Sequence, residues 1–163
     1  MNEIEAMVAH GAFARERTLG LLANLEKETD PAAVLGWRPG AGRAHLAWQL
    51  MHIGVTEELF ATERLVPGSK PAWPDLVARF RGGSTPDDHI PAAGQIRDLL
   101  AASRSHLQAT LSRMSPDQLD QIPPALAERG WTLRTVLSVL AWHEAHHQGQ
   151  AHITYNLWKA RQK

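Results

Sequence analysis

The chain has 163 residues, 17 Lys plus Arg against 17 Asp plus Glu, and no cysteine. A balanced charge leaves no concentrated basic surface of the kind that nucleic acid or an anionic membrane requires, so neither is expected as a partner. Without cysteine there is no disulfide framework, thiolate zinc site or cysteine nucleophile, and any metal site must use histidine and carboxylate.

A chain of this length buries about two-thirds of its unfolded surface, so a single domain spanning residues 1–163 is expected. It opens Met1-Asn2-Glu3-Ile4-Glu5, acidic where a signal peptide is basic, and no apolar run approaches about 18 residues. The expected location is therefore the cytoplasm. From Ile4 to Leu25 the residues Ile4, Met7, Val8, Gly11, Ala14, Thr18, Leu21, Leu22 and Leu25 recur at helical spacing, which predicts a first helix from Asn2 to Lys27. Asp30-Pro31 breaks it. Ala32 to Arg38 is a connector with room for a helical turn, Trp37 is placed to cover the bundle end, and Pro39-Gly40-Ala41-Gly42 makes a second break.

The second helix is predicted from Arg43 to Leu65, with an inner stripe of His45, Trp48, His52, Val55 and Leu59. His52 lies in the middle of that stripe. His45 is two turns earlier on the same face, about 10 Å along the axis, too far to share a metal ion with His52; it is expected to be hydrogen-bonded or partly exposed, with lining the mouth of a site as the lesser alternative. Residues 66–90 are rich in Pro and Gly, with Trp73 and Phe80 as apolar anchors and a short helix expected around Asp75 to Phe80. A connection this long can run the full height of a bundle, so the second and third helices are expected to be parallel. Pro91 suits the first turn of a third helix reaching Met114, on whose outer face His106 is expected to be exposed. Ser115-Pro116-Asp117-Gln118 predicts a short capped turn.

Thr132 caps the fourth helix, which is expected to reach Lys159. Its apolar stripe runs Leu133, Val136, Leu140, and the same three-four spacing then lands on His143 and His147 before Ala151, Thr154 and Trp158. At about 100° per residue His143 and His147 are about 40° apart on one face, near enough to reach one metal ion, whereas His146 projects about 60° to the other side of His143. Imidazoles thus stand where leucine is expected, at ligand spacing. No strand-length alternation or internal repeat appears, so the fold class is all-α, a four-helix bundle in an up-down-down-up arrangement with a long crossover between helices two and three.

His143-Glu144-Ala145-His146-His147 also matches H-E-x-x-H, the metalloprotease pattern with the glutamate as general base. No acidic residue follows His147 to complete a protease ligand set, and no β-rich region precedes it. The stretch Trp131-Thr132-Leu133 through His143-Glu144-Ala145-His146-His147-Gln148-Gly149-Gln150 resembles the closing H-x-x-x-H-R-G-Q helix of the DinB/YfiT-like superfamily of four-helix-bundle candidate metalloenzymes, which is distinct from the DNA polymerase of the same name. Leu35-Gly36-Trp37-Arg38-Pro39, followed by Leu46 to Ile53 with His52, is similar to its other signature, a W-x-P connector and a helix ending in H-I. Gln148 departs from the family's arginine, and Ala44-His45 stands where Ser or Thr is common.

The resemblance implies that His52, His143 and His147 are three metal ligands, matching the stripes. It also implies a metal-dependent hydrolase, isomerase or S-transferase acting on a small molecule such as a low-molecular-weight thiol. Three histidines leave coordination positions open, and Zn²⁺ or Ni²⁺ suits them. Glu57, Glu58 and Glu144 are candidates either to orient a ligating imidazole or to lie solvated on the surface, and Trp48, Trp142 and Tyr155 either to wall a pocket or to pack in the core. Six tryptophans exceed what the core needs, so a homodimer is expected. The competing expectations are a non-catalytic, stress-associated metal-binding bundle and the H-E-x-x-H protease.

Overall fold

A computed structural model of the chain describes residues 1–162. Among these, seven α-helices occur: α1 (Glu3–His10), α2 (Ala12–Leu25), α3 (Pro31–Gly36), α4 (Leu46–Leu59), α5 (Pro74–Phe80), α6 (Ala93–Leu111) and α7 (Leu133–Ala160). A π-helical segment, Phe60–Arg64, prolongs α4, and two 3₁₀ segments, Pro116–Gln118 and Pro124–Arg129, lie between α6 and α7. The bundle's four long helices are α1 with α2, α4 with its π segment, α6, and α7. Their directions follow from which side chains meet. Glu57 reaches Arg104 and Ala61 reaches Thr110, so α4 and α6 are parallel. Gln49 meets His147 and Thr56 meets His143, so α7 opposes α4. Arg15 meets Glu144 and Glu28 meets Tyr155, so α2 runs with α7. The arrangement is up-down-down-up, as the long crossover requires.

Local chemistry explains the boundaries. Asn2 caps α1 in a reciprocal box with Glu5, and Asp30 caps α3, whose first residue is Pro31. The expected first helix is divided at Gly11, where the backbone N–H bonds Val8 O and the next turn starts anew. The second begins at Leu46, later than Arg43, because the His45 imidazole itself caps it: Nδ1 accepts the Trp48 N–H at 3.0 Å. His45 Nε2 then donates to Asp87 O, tying the crossover's return limb to the helix start. Fully buried, His45 does not line the mouth of a site. The crossover carries α5 and is anchored by buried Phe80 and part-buried Trp73, while Arg79 clamps Asp87 with two hydrogen bonds.

Every residue of α4 except Gln49 is buried, so it is the central helix. Its approach to α6 depends on Gly54, where a Cβ would meet Leu99 Cγ at 3.0 Å. The apolar interior falls into two clusters. One gathers Leu21, Leu22, Leu25, Leu50, Met51, Leu99, Leu100 and Tyr155, and the other Ile4, Phe60, Leu65, Leu107, Leu111, Leu133 and Val136. Between these clusters all four long helices place polar side chains: Arg15, then His52, Thr56 and Glu57, then Ser103 and Arg104, then His143, Glu144 and His147. No helix among the described residues is long and apolar enough to cross a membrane.

Candidate metal centre

The three inward histidines converge in this polar layer. The ring centroid of His52 is 4.9 Å from that of His143 and 4.5 Å from that of His147, and His143 and His147 are 4.5 Å apart. One nitrogen from each lies within 4.8 Å of the others. The tightest approach is His52 Nε2 to His143 Nε2, 3.1 Å. Two ligands about 2.0–2.1 Å from a tetrahedral zinc ion stand about 3.3 Å apart, so the donor set fits a small divalent cation with little movement. His146, one turn from Trp142, stacks on that exposed indole and bonds Gln150, outside the trio.

Hydrogen bonds fix which nitrogen each ring presents. His52 Nδ1 donates to the Phe80 carbonyl at 2.7 Å, which leaves the Nε2 lone pair facing the trio. His147 Nδ1 donates to Gln49 Oε1 at 2.6 Å, leaving its Nε2 free in the same way. Thr56 Oγ1 lies 3.5 Å from His143 Nε2, and the Trp48 indole stacks on His52 with centroids 4.7 Å apart. Burial dominates the electrostatics. It pushes the His143 imidazole down to about 3, with the neighbouring His147 and His52 adding to the effect, and His147 down to about 4, with His52 and His146 adding. His52 is lowered by burial and by the Arg64 charge, against the opposing bond to Phe80. All three rings are therefore neutral near pH 7, the state in which imidazole binds metal.

A family model for the DinB superfamily matches residues 11–151. The chain belongs to the DinB superfamily. No curated protein and no solved structure matches it. The matched span of this DinB protein contains all three inward histidines, and their spatial group could hold a metal ion.

The three candidate glutamates behave differently from either expectation. Glu57, Glu58 and Glu144 are 4%, 0% and 2% exposed, and none bonds a histidine of the trio. Glu57 and Glu144 are instead shared between Arg15 and Arg104. Arg15 donates to Glu144 Oε1 at 2.7 Å and Glu57 Oε2 at 2.8 Å, and Arg104 Nη2 lies 2.5 Å from both Glu57 Oε1 and Glu144 Oε2. Each of the four long helices contributes one member to this quartet. Glu58 accepts the Ala72 N–H at 2.7 Å and faces His106 Nδ1 at 2.9 Å, so His106 is a half-exposed partner of a buried carboxylate. The trio is oriented by a backbone carbonyl and an amide. Gln49 and Thr56 were findable, one turn on either side of His52, though the inner stripe pointed to larger neighbours. Of the aromatics, Trp48 covers His52, Trp142 is outside, and Tyr155 is turned to Glu28 in the core.

Glu144 also bears on the H-E-x-x-H pattern. A protease base must face the water beside the metal, whereas here both Glu144 oxygens are held by arginines. The five-residue match arises from two inward histidines of one helix flanking a structural carboxylate.

Proposed function

We propose that this DinB protein holds one divalent transition metal, Zn²⁺ or Ni²⁺, through His52, His143 and His147, and uses it as an enzyme of the transferase or hydrolase type on a small-molecule substrate. The observation that carries the reading is the convergence of three neutral imidazoles with two Nε2 atoms 3.1 Å apart. Three ligands leave coordination positions open, as catalytic zinc sites do. When bound, such an ion lowers the pKa of a water or thiol at the open position toward neutrality.

The chain's own residues supply orientation and shelter. Phe80 O and Gln49 aim His52 and His147, which keeps the ligand lone pairs converged before the ion arrives. Trp48 covers one face of His52 and keeps water from it. Thr56 offers a hydroxyl beside His143 that can bond a group entering the site. A low-molecular-weight thiol is the favoured nucleophile, since the chain has no cysteine of its own and Glu144 is unavailable as a base for water. Such thiols stay reduced in the cytoplasm, where this reading places the protein.

The test is to measure metal content and then screen metal-loaded protein for conjugation of several cellular thiols to electrophilic acceptors. About one ion per chain is expected, with conjugation abolished by chelation, restored by Zn²⁺ or Ni²⁺, and absent in His52→Ala. Full metal occupancy with no turnover would favour a non-catalytic metal-binding bundle.

We also propose a homodimer. Phe13 and Trp142 are 70% and 60% exposed and flank a groove of about 590 Å³ between the first and last helices, lined also by Met7, Leu137 and Ala141. A second copy covering this face would bury both rings. Light scattering is expected to give twice the chain mass, and a mass near 18.0 kDa at high concentration would refute it.

A further inference from the structure

His45, which caps α4, and Trp48 and His52 within it each direct a ring N–H to the crossover. His45 Nε2 donates to Asp87 O at 3.1 Å, Trp48 Nε1 to Ser84 Oγ at 3.3 Å, and His52 Nδ1 to Phe80 O at 2.7 Å. Steps of three and four residues along the helix are matched by steps of three and four back along the crossover, so residues 80–87 run antiparallel to the first two turns of α4 like the side of a ladder. Between the rungs the backbone passes close to a member of the trio: a Cβ at Gly82 would stand 3.8 Å from His52 Cε1.

The rungs brace one another. The Trp48 indole stacks on His52 with 11° between the planes, and the Trp48 backbone N–H donates to His45 Nδ1. Ser84 Oγ–H donates to Arg79 O at 2.7 Å, which turns its lone pairs toward the indole. On the far side Arg79 grips the Asp87 carboxylate twice and His89 O once, and Arg38 donates to Asp87 O at 2.8 Å. The two oriented histidines differ in what holds them. Gln49, which orients His147, stands on the central helix, whereas Phe80 O belongs to the last turn of the short α5 and leads into the exposed Arg81-Gly82-Gly83 turn, with Gly83 at φ +86°. Burial of the Phe80 ring anchors the crossover, and the rungs add direction, because each fixes the tilt of one ring.

We propose that residues 80–87 form a strap that positions His52, with Ser84 and Trp48 as positioning residues. The strap holds the ring as its Nδ1–H tautomer and turns the Nε2 lone pair to the trio. Ser84 acts through Trp48, and Trp48 acts through its stack on His52. This rests on the metal-site reading only for its consequence, that docking of the strap and metal binding favour each other. Such coupling is reciprocal, so a strap that aids metal binding is itself tightened by the metal. The positioning of His52 is a property of the metal-free protein.

The test compares wild type with Ser84→Ala in three measurements: the imidazole proton–nitrogen NMR spectrum of metal-free protein, amide exchange of Arg81 and Ser84, and affinity for Zn²⁺. Wild-type His52 is expected to be the Nδ1–H tautomer. In Ser84→Ala its signal is expected to move toward a mixture of tautomers, both amides to exchange several-fold faster, and Zn²⁺ to bind about three- to tenfold more weakly, the loss of one hydrogen bond. Ser84→Thr, which keeps the hydroxyl, is expected to restore all three, and Zn²⁺ is expected to slow both amides in wild type. Circular dichroism checks folding. Arg79→Gln loosens the strap from its Asp87 side and is expected to act in the same direction, so it replaces Ser84→Ala if that variant misfolds. An unchanged His52 signal and unchanged Zn²⁺ affinity, whether or not the amides exchange faster, would make the ladder a loop anchor only and overturn the proposal. Wild type that binds no metal while Ser84→Ala still shifts the His52 signal would keep the strap's role and refute the metal reading. Equal Zn²⁺ binding by both proteins with an unshifted signal would do the opposite.

Discussion

The histidine trio and the arginine–glutamate quartet share the middle layer of the bundle, and His143 and Glu144, neighbours in sequence, belong one to each. The quartet closes on itself: two guanidinium groups and two carboxylates cancel in charge, and Ser103 Oγ and the Leu100 carbonyl take up further hydrogen-bonding capacity. The trio does not close. Its rings are neutral, no carboxylate reaches them, and two nitrogens face each other with space for a shared proton or ion. A polar cluster that satisfies itself is scaffold, whereas one that leaves lone pairs converging is a binding site.

The largest effect expected from this contrast is on stability. Glu57→Ala leaves the buried Arg15 and the half-buried Arg104 each without one of its two carboxylate partners, and breaking a buried pair in this way costs about 3–5 kcal/mol. Urea unfolding should show a loss of that size, with the histidines untouched. A loss below about 1 kcal/mol would mean that water already screens the quartet. His52→Ala removes a ligand from an open cluster and should cost less stability than Glu57→Ala while costing far more metal.

Gln49→Leu should have an intermediate effect. It deletes the acceptor that orients His147, and loss of such a partner weakens metal binding about 10–100-fold. Competition with a chromophoric chelator measures this. Affinity equal to wild type would mean that His147 is held by packing alone.

The stripes of His52, His143 and His147 were legible because a three-four rhythm of leucines makes an imidazole in the same register conspicuous. The bundle topology was legible because residues 66–90 were too long and too rich in Pro and Gly for a tight turn. The quartet was not. A single Arg15 or Glu57 in an amphipathic helix reads as part of the solvated face, and only the convergence of four helices, with partners 40 to 129 residues apart, shows it to be interior. His45 stood open between a hydrogen-bonded and a site-lining reading for a related reason, since a cap one residue before a helix falls on the same rotational stripe as residues inside it. The helix start moves to Leu46, and of the two readings the hydrogen-bonded one holds.

A smaller effect separates the two clusters by pH. With His143 at about 3 and His147 at about 4, two of the three rings are already deprotonated at pH 5.5, and burial holds His52 below its ordinary value as well. Metal affinity of the folded protein should therefore stay nearly flat from pH 7.5 to 5.5, where three unperturbed imidazoles would lose about a thousandfold to proton competition. The same depression has a cost for the metal-free fold. Its unfolded histidines take up protons below about pH 6.5 while the folded ones do not, so its stability falls as pH drops from there. Metal-free stability that held constant from pH 7 to 5 would contradict the buried, neutral trio.

The most direct test of the account compares metal content in His143→Ala and His146→Ala, two substitutions on the same helix that remove the same side chain from opposite sides of the site boundary. Elemental analysis of each folded, purified protein is expected to find about one ion per chain in wild type and in His146→Ala, and almost none in His143→Ala. Full occupancy in His143→Ala, or loss in His146→Ala, would contradict the assignment of the centre to His52, His143 and His147.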